Sequence, residues 1–397
     1  MPTRAGWWVL LAAVGLALTG RALGAIELYV LAAGAGLLVV GAVLFVRLRR
    51  LRLEVAREIH PLRIQAGHAA RVEVRATNLG RARTPLLRLR DPVTGTRGAL
   101  LTLAPLPRDG TARAAYRLPS SRRGLVRVGP LTVEITDPFG LASVTAPAAS
   151  LLDVTVYPRT EPLVPPAQAG GRDPHAGAEH PSFAPRAGED FHTLRPYVVG
   201  DDLRRVHWPS TARTDELMVR QDEIPWQGRA TVVLDTRRNG FDEARFEEAV
   251  SAAASLVAAC TRRRDLIRLV TTDGADSGVA SGHAHVDAIL EHLATVELSG
   301  GGSLRRTVEA LDATRGAGTL VVVLGHATPA DLAALARLRR RFAAVWAVVF
   351  PRPGMPLGAT PPARDLPVLV VPPGTPFGPM WTAYAGGSAL VRGGGAA

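Results

Sequence analysis

Cysteine is nearly missing from this chain: Cys260 is the single one in 397 residues, so no intrachain disulfide can staple the fold. It lies inside an apolar helical run, where a free thiol serves as a small buried hydrophobe rather than a catalytic or redox group. Nothing in the sequence demands an oxidising compartment. Also missing are a P-loop, a nucleophile elbow and an HExxH helix, so phosphate cradling, α/β-hydrolase chemistry and zincin chemistry have no motif to rest on. A net charge of +12 invites a nucleic-acid partner. The arginines are spread along the chain, however, with no basic stripe interleaved with aromatics, and that distribution argues against one.

What is present begins with long apolar runs. Residues 7–20 form a short run and residues 28–46 a longer one without a charged residue. The second is long enough to span a bilayer. Arg47, Arg49, Arg50 and Arg52 follow it at once, which by the positive-inside bias places that flank in the cytoplasm, against anionic headgroups. Residues 1–52 are therefore expected to be a membrane anchor of two helices, with residues 21–27 as a short external loop. Arg4 and Ala22-Leu23-Gly24 also allow the first run to be read as a signal peptide. Either way the rest of the chain faces the cytoplasm, and its length allows two soluble domains.

Residues 53–157 alternate apolar and polar positions in short segments such as ARVEVRAT and LTVEIT, punctuated by Gly and Pro turns. Half-buried strands of this kind predict an antiparallel β-sandwich. Asp137-Pro138-Phe139-Gly140 reads as a turn, with Phe139 covering the sandwich edge. Residues 158–187 are rich in Pro, Gly and Ala and are expected to be a mobile linker, in which His175 and His180 are solvated rather than metal-bound. From residue 224 to 385 continuous Val/Leu strands alternate with amphipathic helices, which implies a doubly wound parallel sheet covered on both faces. Ligands bind such sheets at the carboxyl ends of the strands, so the loops after Asp235, Ser299 and Leu324 are the candidate site. Residues 386–397 read as a flexible tail.

The densest polar stretch is residues 188–223, GEDFHTLRPYVVGDDLRRVHWPSTARTDELMVRQDE. Gly188, Glu189, Arg195, Tyr197, Gly200, Asp201, Asp202, Arg204, Trp208, Ala212 and Arg213 stand at the spacing Gly-Glu…Arg-x-Tyr…Gly-Asp-Asp-x-Arg-x-x-x-Trp…Ala-Arg. This ordered pattern resembles the signature of the domain-of-unknown-function 58 family. Pro209 stands where a Lys is common in that family. Three roles suit the segment. Arg–carboxylate forks and a stacked Trp can clasp the linker to the α/β sheet; the same residues can dock a partner; or Asp202, His207 and Ser210 can do chemistry. Triads are assembled across a fold, and these three crowd one turn, which places catalysis last.

The loops of the α/β segment are similar to those of a von Willebrand factor type A domain, whose resemblance implies a divalent cation held by Asp-x-Ser-x-Ser, a Thr and a third-loop Asp. Here Asp235 is kept, while Arg237 and Asn239 replace the two Ser; Ser303 can stand for the Thr; and Leu324-Gly325-His326 offers no carboxylate. Mg²⁺ wants an octahedron of oxygens, and a guanidinium competes with it. The expectation is a degenerate site in which Arg237 or Arg238 pairs with Asp235 and no cofactor is bound. Thr272-Asp273-Gly274 reads as an ordinary turn. Members of the resembling family accompany MoxR-type AAA+ ATPases and other type A domain proteins. The resemblance thus implies a non-enzymatic, membrane-anchored adaptor in protein assembly or maturation. A metal-dependent enzyme on the same face and a structural envelope component are the alternatives.

Overall fold

The computed structural model describes residues 1–48, 52–167, 193–197, 206–214, 216–221, 228–314, 318–354 and 366–393. The chain divides into two compact units, Met1–Arg159 with Leu290–Thr295, and Thr160–Ile289 with Val296–Ala397.

The first unit starts with helices α1 (Arg4–Leu23) and α2 (Ile26–Leu48), joined at Gly24, whose φ of 67° makes the left-handed C-cap of α1. Gly is favoured there because residues with a side chain are strained at that positive φ. Both helices are long and apolar enough to cross a membrane. Their large apolar side chains, among them Leu11, Val14, Leu18, Leu31 and Leu37, lie exposed. Arg49 and Arg50 lie outside the described residues.

Ten strands follow: β1 (Leu53–His60), β2 (Ile64–Gln65), β3 (Ala70–Asn78), β4 (Leu87–Asp91), β5 (Ala99–Leu103), β6 (Thr111–Leu118), β7 (Gly124–Val128), β8 (Leu131–Thr136), β9 (Ser143–Ala149) and β10 (Leu152–Tyr157). They form sheets in the orders β1-β3-β6, β5-β4-β8-β9 and β2-β10-β7. Pairing is antiparallel except between β2 and β10, which run parallel. The alternation read from the sequence is visible as alternate burial: Val72, Val74 and Ala76 of β3, Leu87 and Leu89 of β4, and Val133 and Ile135 of β8 enter one core with Val128, Leu131 and Val156. Each fully buried Val or Leu contributes roughly 1.5–3 kcal/mol.

One buried polar network crosses this core. Asp91 is fully buried and accepts bonds from Arg57 Nη1 at 2.9 and 3.2 Å and from the Tyr116 hydroxyl at 2.6 Å, while Arg57 Nη2 donates to the Ser150 carbonyl at 2.6 Å. Burial, reinforced by the bond to Asp91 and its charge, pushes the Tyr116 hydroxyl well above its ordinary range. Strands β1, β4 and β6 are thereby pinned to one another. Phe139 does not cover an edge as expected: it stands 69% exposed at the tip of the β8–β9 turn.

In the second unit β11 (Thr193–Pro196) pairs antiparallel with β12 (Met218–Gln221), with α3 (Trp208–Thr214) between them in sequence. Then come β13 (Arg229–Leu234), α4 (Glu243–Arg262), β14 (Leu266–Thr271), α5 (His283–Thr295), α6 (Leu304–Ala313), β15 (Thr319–Leu324), α7 (Pro329–Arg337), a 3-10 turn (Leu338–Arg340), β16 (Ala344–Val349), β17 (Val368–Val370) and α8 (Phe377–Gly393). The five strands β14-β13-β15-β16-β17 make one wholly parallel sheet. Every residue of β15 and β16 is buried, which is why these strands read as unbroken apolar runs instead of alternating ones. Cys260 is buried on α4, and burial, with the charge of Asp265, pushes its thiol up to about 12.

Two stretches expected to be unstructured depart from that expectation. Residues 160–167, placed in the linker by composition, run along the α/β unit: the Glu161 N–H donates to Ser255 Oγ at 2.9 Å, Glu161 Oε2 accepts from the Gly378 N–H at 2.6 Å, and Trp381 Nε1 donates to the Val164 carbonyl at 2.8 Å. The remainder of that linker, with His175 and His180, lies outside the described residues. Helix α8 continues beyond Ala385 to Gly393. Arg245 is the largest buried polar group of the unit. It donates to the carbonyls of Pro351 at 3.0 Å and of Val371, pairs with Glu248, and lies 5.1 Å from the centre of the Phe350 ring. Helix α4 is thus fastened to the ends of β16 and β17.

Candidate functional site

Parallel strands all end on the same side, so the loops after β13, β14 and β15 converge. Asp235 follows β13 and is fully buried. A carboxylate in that position must find donors, because a buried charge without them is costly. Arg237 supplies three: its Nε reaches Oδ1 at 2.9 Å, its Nη2 reaches Oδ2 at 3.0 Å, and its backbone N–H reaches Oδ1 at 3.1 Å. The Thr272 hydroxyl adds a fourth at 3.2 Å, while Thr272 Oγ1 accepts from the Thr236 N–H at 2.9 Å and lies 3.1 Å from the Thr236 hydroxyl. The side-on guanidinium fork is the strong, geometry-specific form of ion pair. The chain contains no lysine, so every cation available for such a lock is an arginine.

A second carboxylate stands behind the first. Asp331 Oδ2 lies 3.8 Å from Arg237 Nη2. It is held there by the capping box of α7, in which Thr328 Oγ1 accepts from the Asp331 N–H and Asp331 accepts from the Thr328 N–H, both at 3.1 Å. Burial alone would lower the Arg237 pKa; the bonds and charge of Asp235, with the charge of Asp331, outweigh it and hold the guanidinium above its ordinary value. The loops fit tightly. A Cβ on Gly325 would collide with the Gly240 carbonyl and the Phe241 ring.

Of the residues singled out in the sequence, Arg237 is the one that meets Asp235. Arg238 turns away, its Nη2 donating to the Leu298 carbonyl at 3.3 Å. The Asn239 carbonyl, with those of Arg238 and Phe241, is gripped by Arg352 Nη2 at 2.9–3.0 Å. Ser303 does not reach Asp235: it caps α6, accepting from the Arg306 N–H at 3.4 Å. The hydroxyl that takes its place is Thr272. Asp273 and Gly274 do form the expected turn, with Gly274 at φ 104° and Asp273 accepting from the Thr271 hydroxyl. Asp331 was hidden from the sequence reading because it sits in a helix cap, past the loop where a third carboxylate was sought. The TPAD capping box was its only signal.

A divalent cation does not fit these residues. Both oxygens of Asp235 are already occupied by Arg237, whose charge stands where the ion would. Among the described residues no group of three or more His, Cys, Asp or Glu side chains could hold a metal ion.

Within the signature segment, Gly188, Glu189, Gly200, Asp201, Asp202 and Arg204 lie outside the described residues. Arg195 lies on β11 opposite Val219, and the Tyr197 N–H donates to the Leu217 carbonyl at 2.7 Å. His207 Nδ1 lies 2.8 Å from Ser210 Oγ, and the Ser210 N–H donates to the His207 carbonyl. This pairing ties the two side chains together at the start of α3. Trp208 stands 67% exposed, and Arg213 is exposed on the same short helix. In the other unit a shallow depression of about 550 Å³ is lined by His60, Pro61, Arg71, Tyr116 and Arg117.

No curated protein matches the chain. Among solved structures it is similar to the CARDB domain of the PF1109 protein from Pyrococcus furiosus in complex with di-metal ions, at 19% identity over 27% of this chain and 93% of that one, with a TM-score of 0.22. It is also similar to the alkylpurine DNA glycosylase AlkC of Pseudomonas fluorescens, at 11% identity over 28% of this chain and 32% of that one, with a TM-score of 0.19. A third is the putative ApaA protein of Bordetella pertussis, at 15% identity over 27% and 94%, with a TM-score of 0.18. Residues 193–352, from the start of β11 to just past β16, match the family model described as "Protein of unknown function DUF58", which supports the family whose signature this sequence resembles.

Proposed function

We propose that the chain is a membrane-anchored adaptor or scaffold. In this reading α1 and α2 hold it in the bilayer with the remainder in the cytoplasm. The first unit is a β-sandwich, and the second is a degenerate type A-like domain that offers its loop face to another protein. The partner class follows from the family resemblance: a MoxR-type AAA+ ATPase, acting with other type A domain proteins in assembly or maturation of clients.

The observation that carries the reading is the lock of Arg237 on buried Asp235. It satisfies both oxygens of Asp235 at the carboxyl end of the sheet with an ion pair, so this carboxylate is not free to ligate a Lewis-acid metal and the face is left with shape and charge for recognition. The exposed Trp208 adds support. Trp is enriched among residues that anchor protein interfaces.

Affinity purification of the crosslinked full-length chain from native membranes, with and without ATP, tests the proposal. Nucleotide-sensitive recovery of an AAA+ ATPase, reduced by Trp208→Ala, is the expected result. Recovery of no ATPase under either condition would overturn the partner assignment.

A further inference from the structure

The turn between β8 and β9 is held more rigidly than a solvent loop requires. Both oxygens of buried Asp137 are used, Oδ1 accepting from the Ala142 N–H at 2.5 Å and Oδ2 from the Phe139 N–H at 2.8 Å. The backbone closes again through the Asp137 N–H to the Ala142 carbonyl at 3.1 Å and the Gly140 N–H to the Asp137 carbonyl at 3.0 Å.

This turn is bolted to the start of α1. The Thr3 hydroxyl donates to the Gly140 carbonyl at 2.6 Å, the Thr3 N–H to the Leu141 carbonyl at 2.8 Å, and the Met1 ammonium to the Ser143 carbonyl at 2.7 Å. Gly6 permits the approach, since a Cβ there would collide with the Leu141 carbonyl.

The depth of the contact points to its partner. Leu141 and Ala142 share one apolar cluster with Val39, Ala42 and Val46 of α2 and with Val9 and Leu10 of α1. Val39 lies two helical turns inside the apolar run that ends at Val46, about 10 Å along the axis at the α-helical rise. Trp7 and Trp8 stand exposed at the same end of the hairpin, and indoles concentrate at the headgroup level of a bilayer. Phe139, exposed beside Gly140, therefore lies where lipid begins.

We propose that residues 137–142 form a membrane-interface anchor, in which Phe139 enters the boundary between phospholipid headgroups and acyl chains and sets the stance of the first unit on the bilayer. The proposal rests on α1 and α2 spanning the membrane. Its physical basis is the free energy gained when an exposed apolar ring held beside the hairpin leaves water for the lipid boundary.

The test is site-directed spin labelling of the full-length chain in phosphatidylcholine/phosphatidylglycerol vesicles, with nitroxides at Phe139→Cys, Val14→Cys and Leu100→Cys. Val14 is an exposed mid-helix position of α1. Leu100 is exposed on β5, three strands from β9, roughly 14 Å at the usual strand spacing. The chain without an added thiol supplies the background, because Cys260 is buried. The expected result is a collision rate with a water-soluble nickel chelate several-fold lower at 139 than at 100, and raised toward the Leu100 value when Gly6→Leu pushes the turn away. A label at 139 as accessible to the chelate as that at 100, with Val14 shielded, would overturn the anchor while leaving the spanning helices standing. Equal access at all three sites would remove the spanning reading and the anchor with it.

Discussion

Replacing Arg237 by Met keeps most of the side chain's bulk but removes both guanidinium donors from Asp235. The carboxylate, fully buried, is left with the Arg237 backbone N–H at 3.1 Å and the Thr272 hydroxyl at 3.2 Å. Stranding one member of a buried pair costs about 3–5 kcal/mol. Because the Arg237 side chain is 19% exposed, water can reach the vacated space, and the lower end, about 3 kcal/mol, is expected. That corresponds to roughly a hundredfold rise in the local opening equilibrium. The chain holds two units, so a single unfolding midpoint is the wrong measure. Native-state hydrogen exchange of the full-length protein reads the effect directly in the amides of β13 and β15. The paired variant Asp235→Asn with Arg237→Met removes both charges and should recover most of the loss, since neutral groups of the same shape no longer strand an ion. Mg²⁺ should give no saturable heat with the unaltered chain. Two outcomes would refute the reasoning: exchange in Arg237→Met within about threefold of the parent, or a paired variant as unstable as the single one.

Four further outcomes are expected. Tyr116→Phe deletes a hydroxyl bonded to the Asp91 carboxylate at 2.6 Å and should destabilise the first unit by about 1.5–3 kcal/mol, the range for bonds to charged groups, read from native-state hydrogen exchange in the amides of β4 and β6. Gly325→Ala should abolish native packing of the second unit, because its Cβ meets the Gly240 backbone; near-ultraviolet circular dichroism reports this. The hydrogen bonds from Arg268 hold the Asp276 carboxyl below its ordinary value of 3.8. A folded pKa below the unfolded one means stabilisation that is complete above about pH 4 and fades as pH falls through the folded value. Asp276→Asn should therefore cost no more than about 1 kcal/mol at pH 7, and nothing once the pH lies below both values; a melting series from pH 7 to pH 2 checks the sign. Finally, iodoacetamide should modify Cys260 only as fast as the α/β unit opens, because the thiol is buried and titrates near pH 12. Alkylation at pH 8 faster than hydrogen exchange of α4 would contradict this.

Most elements of the α/β unit were legible because each carries its own signal, whereas β17 and α8 were not named. RATVVL, LIRLVT, TLVVVL and AVWAVV are apolar runs too short for helices, and they are strands β13–β16. The helix hairpin was legible from hydropathy for the same reason. Phe139 was misplaced because a turn sequence says how the chain bends but not what the bend meets. Asp331 was missed because its capping role looks self-sufficient in sequence. Thr272 was set aside because its neighbours do make a turn, and its part in the cluster depends on β14 lying beside β13 with Leu234 opposite Thr271. Arg245 and the Arg57–Asp91–Tyr116 network left no local pattern at all.

The sequence by itself determined what short-range physics controls: periodicity, turn chemistry, apolar length and the identity of the charged groups available. Only the tertiary structure decided which arginine reaches Asp235, which hydroxyl completes the cluster, and that a rigid turn of the β unit is bolted to the first residues of a membrane-length helix. Those pairings depend on strand order and register, and the partners lie far apart along the chain, where no local pattern records which of several equivalent side chains packing will bring within 3 Å.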